Sequence, residues 1–375
     1  MNRLPRPAYI RRMIIRKSLS PRDTFTLEEV HEVLSHYDLG AWRLGKLLGG
    51  GNSDNIILHT QHGKKVLKRY RWPLPHPLVE QSYYWHLAAR RFPVPALIPN
   101  QDGQTYTDVS GRIYSIFDFV DGYILDDYFL WPTARVRLIE RASESFAQFH
   151  QLVDGFVPSG EKYDGFVPGS RRLFRDVDWH IEVLERYRGT VMHGAWPDAL
   201  DVLMMTILDD LKRDLVVVGR HYTEPDPNLA VVATHGDYRP GNVLFRNGRV
   251  AAVLDFSGAC INLRALDVAR AIGSFAQAGR YGISGPLAAA FLAAYQSQHP
   301  LTASELCAIP DLLRWRHLGN IVHKIHALEA HPQYASRRTL PDFVRRKWLE
   351  NGWLKANRDW LQGIFKSATR AALAG

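Results

Sequence analysis

Two carboxylates and an amide fall within a short span, in His235-Gly236-Asp237-Tyr238-Arg239-Pro240-Gly241-Asn242 and Val253-Leu254-Asp255-Phe256. This set suits phosphoryl transfer. One carboxylate takes or orients the proton of an attacking hydroxyl, while the amide and the other carboxylate hold magnesium on the phosphates of a nucleotide. Asparagine cannot act as a base, so beside two carboxylates its simplest role is as an oxygen ligand for a hard cation. Asp237 is therefore the candidate base. Asn242 and Asp255 are the candidate magnesium ligands. Between them Val243–Phe245 and Val250–Leu254 read as a hairpin turned at Asn247-Gly248, which would return both ends to one point. A capping Asp and a turn Asn are the plain alternative, and the order strand, loop, hairpin, strand argues against it. His235 reads as a packing residue that fixes the loop by hydrogen bonding, since no Cys/His spacing for a metal accompanies it. Asp267, at the start of the next helical stretch, reads either as a cap or as a brace for the loop.

The elements that must position these residues fall into two kinds. The first third is β-rich. Ala41–Leu48, Asn55–Thr60 and Lys64–Tyr70 pattern as strands joined by glycine-containing turns. Gly49, Gly50, Gly51, Asn52 and Ser53 lie between two of them. Glycines there let backbone approach phosphates and free N–H groups to face them. A Walker loop is excluded, because no Gly-Lys-Ser/Thr follows and a strand comes next. Lys68, in the strand after that loop, could reach the phosphates; a solvated strand charge is the plain alternative. Glu80, on the helix predicted over Val79–Arg91, could pair with Lys68, or simply favour the helix start. Tyr106–Val109 and Arg112–Val120 read as a hairpin ending at Asp121-Gly122. Beyond Gly122 the period is helical over Arg135–Leu152, Asp176–Tyr187, Pro197–Val217, Leu266–Ala278, Pro286–Gln298, Leu312–Ala330 and Asp342–Thr369. His150, in one of these stretches, reads as a core-edge histidine. The fold class is α+β, bilobal, with a basic arm over 1–24, a small lobe over 25–121 and a mainly helical lobe over 122–375. A cleft between the lobes is the natural ligand site on this reading.

Composition narrows the classes. At 375 residues, 46% hydrophobic and 23% charged, the chain can bury a core without staples. Two cysteines, Cys260 and Cys307, cannot build a disulfide framework and fit a reducing, cytoplasmic compartment. No apolar run reaches the ~20 residues of a membrane helix. The N-terminus has seven basic residues before Asp23 and no apolar core, which reads as a solvated arm or a transit peptide rather than a secretory signal. The net charge of +9 comes with no nucleic-acid-binding signature, so dedicated nucleic-acid binding is not expected.

With these motifs in order, the chain resembles the aminoglycoside phosphotransferase-like kinases, which include choline kinases and the second type of homoserine kinase. The likeness runs from about Leu44 to Ala278. It rests on His235-Gly236-Asp237 with Asn242 and Val253-Leu254-Asp255-Phe256. Gly50-Gly51-Asn52-Ser53, Val66-Leu67-Lys68, Glu80, Pro93-Val94-Pro95, Phe117–Gly122 and Phe149-His150 extend it. The resemblance implies a protein-kinase-like fold binding ATP and magnesium between its lobes, with the Asp118 carbonyl and Val120 N–H meeting adenine. Gly236 stands where protein kinases carry an arginine, Ser257 leaves Asp-Phe-Gly incomplete, and the run from Asp255 to Asp267 is short. These departures point to a small-molecule acceptor: an aminoglycoside, a homoserine-like or choline-like alcohol, or a sugar. Asp126, Asp127, Asp176, Asp178 and Glu182 could form an acidic cleft for a polycation, whereas Arg337, Arg338, Arg345, Arg346 and Lys347 could meet an anion. A non-catalytic binding or scaffold protein of the same fold, and a protein Ser/Thr kinase, are the competing readings.

Overall fold

The computed structural model describes residues 25–48, 53–126, 132–162, 165–166, 172–194, 196–223, 226–330 and 337–374. The chain forms two compact units. One comprises residues up to Arg71 together with Ile98–Ile116, the other Trp72–Leu97 and Phe117–Gly375. The segment 72–97, which the sequence reading put in the small lobe, groups with the second unit.

The first unit opens with a helix absent from the sequence reading, α1 (Leu27–Leu34). Its signal is a capping box: the Thr26 hydroxyl accepts from Glu29 N–H at 3.1 Å, and the Glu29 carboxylate accepts from Thr26 N–H at 3.3 Å. Val30, Val33 and Leu34 face the apolar core. Strands β1 (Trp42–Leu48), β2 (Ser53–Thr60) and β3 (Gly63–Tyr70) form an antiparallel meander, and Asn55 pairs with Lys68 across β2 and β3. The sheet continues with β4 (Leu97–Ile98), β5 (Thr107–Val109) and β6 (Arg112–Asp118), in the order β1-β2-β3-β6-β4 with β5 on β6. The basic run Lys64-Lys65…Lys68-Arg69 splits in two. Lys64 is exposed, whereas Arg69 is buried between Glu29 and Asp54, each at 2.9 Å. Lys68 is also buried, at 6% exposure, with its ammonium 5.1 Å from the Tyr70 ring centroid. A solvated strand charge is thus ruled out for Lys68.

The second unit is mainly helical: α2 (His76–Ala89), α3 (Pro132–Leu152), α4 (Val177–His193) and α5 (Ala199–Thr223), then α6 (Arg264–Phe275), α7 (Gly285–Gln298), α8 (Ala303–Ala330), α9 (Leu340–Ala356) and α10 (Arg358–Ala374). Three small antiparallel pairs interrupt the helices. They are β7 (Val231–Thr234) with β10 (Cys260–Leu263), β8 (Val243–Arg246) with β9 (Arg249–Val253), and β11 (Gln277–Ala278) with β12 (Gly282–Ile283). Two helical expectations change. α8 runs through the buried Pro310 instead of starting at Leu312; burial on a long packed helix outweighs the lost N–H bond. The stretch over Asp342–Thr369 divides at Asn357, whose side-chain amide bonds the Trp353 carbonyl at 2.9 Å. Competition for a helix carbonyl of this kind is how asparagine ends helices.

An aromatic core fills the space between α2, α3 and the loops that follow β7 and β9. Phe256 is fully buried and lies 4.5 Å from the ring centroid of His235, 5.0 Å from Tyr84 and 5.5 Å from Tyr83. Tyr238 stacks on Phe146 at 4.1 Å, and its hydroxyl bonds the Ala142 carbonyl at 2.7 Å. Both loops are thereby anchored by the aromatic residue that directly follows the chemically important aspartate.

Candidate active site

The loop 235–242 leaves β7 through Gly236, at φ +76°, where a Cβ would lie 1.9 Å from the Gly258 carbonyl oxygen. No other residue fits so close a backbone approach. The loop ends in a 3-10 turn, Pro240–Asn242, that leads into β8. Pairing of Val243 with Val253 then sets the far end of the hairpin beside its start, and Leu254 N–H donates to the Asn242 carbonyl at 2.8 Å. Asp255 follows directly. Register, rather than chain proximity, brings Asp237, Asn242 and Asp255 together.

The three polar side chains are held differently. Asn242 is buried and gives both amide hydrogens to Asp237, one to its carbonyl at 2.8 Å and one to Oδ2 at 3.0 Å. Its Oδ1 takes part in neither bond and could hold a cation. Arg239 Nε also donates to Asp237 Oδ2, at 2.9 Å. Two donors thus occupy one carboxylate oxygen, and Asp237 Oδ1 has no protein partner among the described residues. Asp255 adopts a left-handed conformation, φ 61° and ψ 73°; its N–H donates to the Tyr84 hydroxyl at 3.1 Å, and its Oδ1 accepts from Ser257 N–H at 3.3 Å. A non-glycine residue in that region marks a position held by its surroundings. Among the described residues no group of three or more His, Cys, Asp and Glu could cage a metal ion. One amide oxygen and one carboxylate leave most positions to water and phosphate oxygens, which is the coordination magnesium favours.

Beneath the loop lies Asp267, on the first turn of α6 and 1% exposed. Its carboxylate accepts His235 N–H at 2.7 Å and Gly236 N–H at 2.9 Å. Of the two sequence readings, cap or brace, its bonds are those of a brace. Burial pushes its acidity down in strength, but contacts with His150, His235 and Arg270 outweigh that and hold its carboxyl below the usual range. His150, read from sequence as a core-edge residue, is fully buried: Nε2 lies 3.4 Å from Asp267 Oδ2, and Nδ1 lies 2.8 Å from the Tyr295 hydroxyl. Burial lowers the basicity of both His150 and His235. Neutral His235 then takes the tautomer with a proton on Nε2, donating to the Leu254 carbonyl at 3.1 Å, and its Nδ1 accepts from Asp237 N–H at 3.3 Å. One buried imidazole therefore ties the Asp237 loop to the residue before Asp255.

Four contributors had no part in the sequence reading of the site: Arg239, Tyr84, His150 as a partner of Asp267, and Lys162. The Lys162 ammonium bonds the Ser257 carbonyl, and the Ala259 carbonyl at 2.8 Å, fixing the turn after Asp255. Tyr84, His150 and Lys162 have no spacing signal, because each reaches the site from a distant element; Arg239 lies within the loop itself. Of the other sequence candidates, Gly49, Gly50, Gly51 and Asn52 lie outside the described residues. Ser53 starts β2, and its hydroxyl accepts from Asn55 at 3.2 Å. Glu80 is buried in α2 at 3% exposure. Asp118 closes β6 with its N–H on the Ala96 carbonyl at 2.8 Å, and Val120 follows, half-buried. Gly122 passes close to the Phe245 carbonyl, and Tyr123 then exchanges both backbone bonds with Phe245, at 2.8 and 2.9 Å.

A cavity of about 300 Å³ opens at Asp237, walled by Gly236, Gly258, Arg270 and Arg316 among others. Another, of about 420 Å³, is lined by Arg239, Asp126, Arg346, Lys347 and Glu350. Of the acids that could form a cleft for a polycation, Asp127 lies outside the described residues and Asp176 is the N-cap of α4, bonding Trp179 N–H at 2.9 Å. None of the described ones lines the cavity at Asp237. From Asp255 to Asp267 the chain is filled by the turn Phe256–Gly258, β10 and the start of α6, with no room for a long regulatory segment.

The sequence model of the phosphotransferase enzyme family matches residues 45–306. A homoserine kinase of Rhizobium meliloti is 28% identical over 298 residues, covering 77% of this chain and 81% of the relative. Among solved structures, an aminoglycoside phosphotransferase from Alicyclobacillus acidocaldarius superposes with a TM-score of 0.60 at 18% identity, covering 96% of this chain and 100% of the other. An amicoumacin kinase in complex with AMP-PNP, Ca2+ and Ami superposes at 0.61 and 15%, covering 88% and 94%. The fold is the protein-kinase-like one, with a small antiparallel sheet and a mostly helical remainder. By its family match the chain belongs to the phosphotransferase enzyme family, as an ATP-using small-molecule kinase with an alcohol acceptor.

Proposed function

We propose that Asp237 is the catalytic base in transfer of the ATP γ-phosphoryl group to a hydroxyl of a small molecule bound in the cavity that Asp237 lines. The observation that carries this reading is the division of labour on its carboxylate. Oδ2 is occupied by Asn242 and Arg239, while Oδ1 has no partner among the described residues and can accept a hydroxyl proton. The acceptor oxygen bonds to the γ-phosphorus as the bond from that phosphorus to the bridging oxygen breaks. The hydroxyl proton passes to Asp237, and ADP leaves with the electron pair. Asn242 Oδ1 and the Asp255 carboxylate would hold magnesium, which when bound neutralises phosphate charge. Gly49 to Ser53 and Lys68 would meet the phosphates, Glu80 would support that lysine's charge, and Asp118 and Val120 would meet adenine. The burial of Lys68 supports its part. With Cys260 and Cys307 both free thiols, we assign the reaction to a reducing, cytoplasmic compartment.

ATP consumption by the full chain with magnesium and a panel of alcohols tests this reading. Acceptor-dependent ADP release, lost in Asp237→Asn while AMP-PNP still binds, is the expected result. Undiminished release by Asp237→Asn would remove Asp237 from the chemistry.

A further inference from the structure

The cavity at Asp237 is walled by cations. Arg175, Arg270 and Arg316 all line it, and Asp237 is the one carboxylate among its described lining residues. Arg270 donates to the Gly236 carbonyl at 3.1 Å. Arg316 donates to the Arg270 carbonyl at 2.9 Å and to the Ser274 hydroxyl at 3.1 Å. All of these acceptors are neutral. Neither arginine meets a carboxylate at ion-pair distance among the described residues. Burial and the neighbouring Arg270 charge pull the Arg316 guanidinium down to about 10, against the opposing pull of Asp237 and Glu350. Both arginines are half-buried, and cations withdrawn from water normally carry a partner.

The lining also includes a buried histidine. His180 is 1% exposed and lines the same cavity. Its Nδ1 lies 2.6 Å from the Asp176 carbonyl, and its Nε2 has no hydrogen-bond partner among the described residues. Burial lowers its pKa to about 4, so the ring is neutral near pH 7. The proton then sits on Nδ1, facing the carbonyl, so the ring adds no charge to the cavity.

We propose that the acceptor is a small alcohol bearing a carboxylate or phosphate group and no ammonium group, its anion held by Arg270 and Arg316 and its reacting hydroxyl at Asp237. The inference rests on the reading of this cavity as the acceptor site. Guanidinium forks match carboxylate and phosphate oxygens, which suits an anion of either kind. An amino alcohol or aminoglycoside would meet three arginines here and find no carboxylate except the one needed for its proton.

Calorimetry on the full chain separates the anion site from the chemistry. The probes are glycerate and glycerol 3-phosphate for the two anions, homoserine for a zwitterion and choline for a cation, each with AMP-PNP and magnesium present. At least one anion should bind tenfold or more tightly than homoserine and choline. Arg316→Gln and Arg270→Gln should each weaken it tenfold or more, while Arg316→Lys retains most of the affinity. Retained AMP-PNP binding shows that each variant is folded. Equal or tighter binding of choline or homoserine, absence of binding by both anions, or unchanged anion affinity in the Gln variants would overturn the proposal. Anion binding with these dependences together with undiminished ADP release by Asp237→Asn leaves the subsite standing and removes Asp237 as base, so the two failures are distinct.

Discussion

The Oδ2 atom of Asp267 accepts the amide hydrogen of His235 at 2.7 Å, so a fully buried carboxylate on α6 holds the backbone two residues before Asp237. The same group holds Gly236 at 2.9 Å. Asp267→Asn replaces one charged acceptor with an amide that cannot accept both hydrogens. The expected outcome is a stability loss of about 1–3 kcal/mol by denaturant titration, with kcat down about 100-fold from misplacement of the loop. A variant with full stability and full kcat would show that the brace is unnecessary.

Asp237 is about a third exposed and pairs with a half-exposed Arg239, an ion pair worth ~0–1 kcal/mol. Asp237→Asn should therefore leave the melting temperature nearly unchanged. Its kcat should fall by about 10²–10⁴, the range of a positioned base. Steady-state kinetics and a thermal melt on the same preparation separate the two effects.

Gly236→Ala meets both obstacles that a Cβ can meet, a left-handed backbone and a carbonyl oxygen at 1.9 Å. Gly248 has the same sign of φ but open space around it. The Gly236 variant should lose more than ~2 kcal/mol, and Gly248→Ala about 1 kcal/mol or less. Parallel urea titrations check the ranking, and reversal would mean the loop shifts freely.

Magnesium dependence addresses the ligand pair. Asp255→Asn and Asn242→Ala should each raise the magnesium concentration for half-maximal rate tenfold or more. Asn242→Ala should also lower kcat at saturating magnesium, because Asn242 orients Asp237 as well. Unchanged magnesium dependence in both variants would take these residues out of the metal site.

Acid stability follows from buried histidines. His180 and His299 have folded pKa values lowered by burial to about 4, against 6.5 in the unfolded chain. The unfolded state binds more protons between those values, so stability falls as pH drops from 6.5 towards 4 and is flat above. Each histidine contributes about 1.4 kcal/mol per pH unit in that window. Equilibrium unfolding at pH 7, 6 and 5 should show this slope, reduced by about one proton in His180→Gln.

Much of the fold was legible because local signals agreed with tertiary ones. The strands over 42–70 and the hairpin turned at Asn247-Gly248 were read within a few residues, and the helical periods after Gly122 were read apart from the start of α8 and the division at Asn357. α1 escaped because its capping box is short and its neighbourhood β-rich. β7 and β10 were given no bounds, because each is four residues long and no hairpin turn joins them as Asn247-Gly248 joins β8 and β9.

By itself the sequence determined which groups can do chemistry. A carboxylate, an amide and a second carboxylate at a hairpin's ends are properties of residue type and local turn geometry. The tertiary structure decided their surroundings. Asp267, His150, Lys162 and Tyr84 come from elements far along the chain, and spacing carries no record of which distant groups meet. The same holds for the cationic cavity at Asp237, since Arg175, Arg270 and Arg316 look like any surface arginines until α6 and α8 bring two of them to one wall.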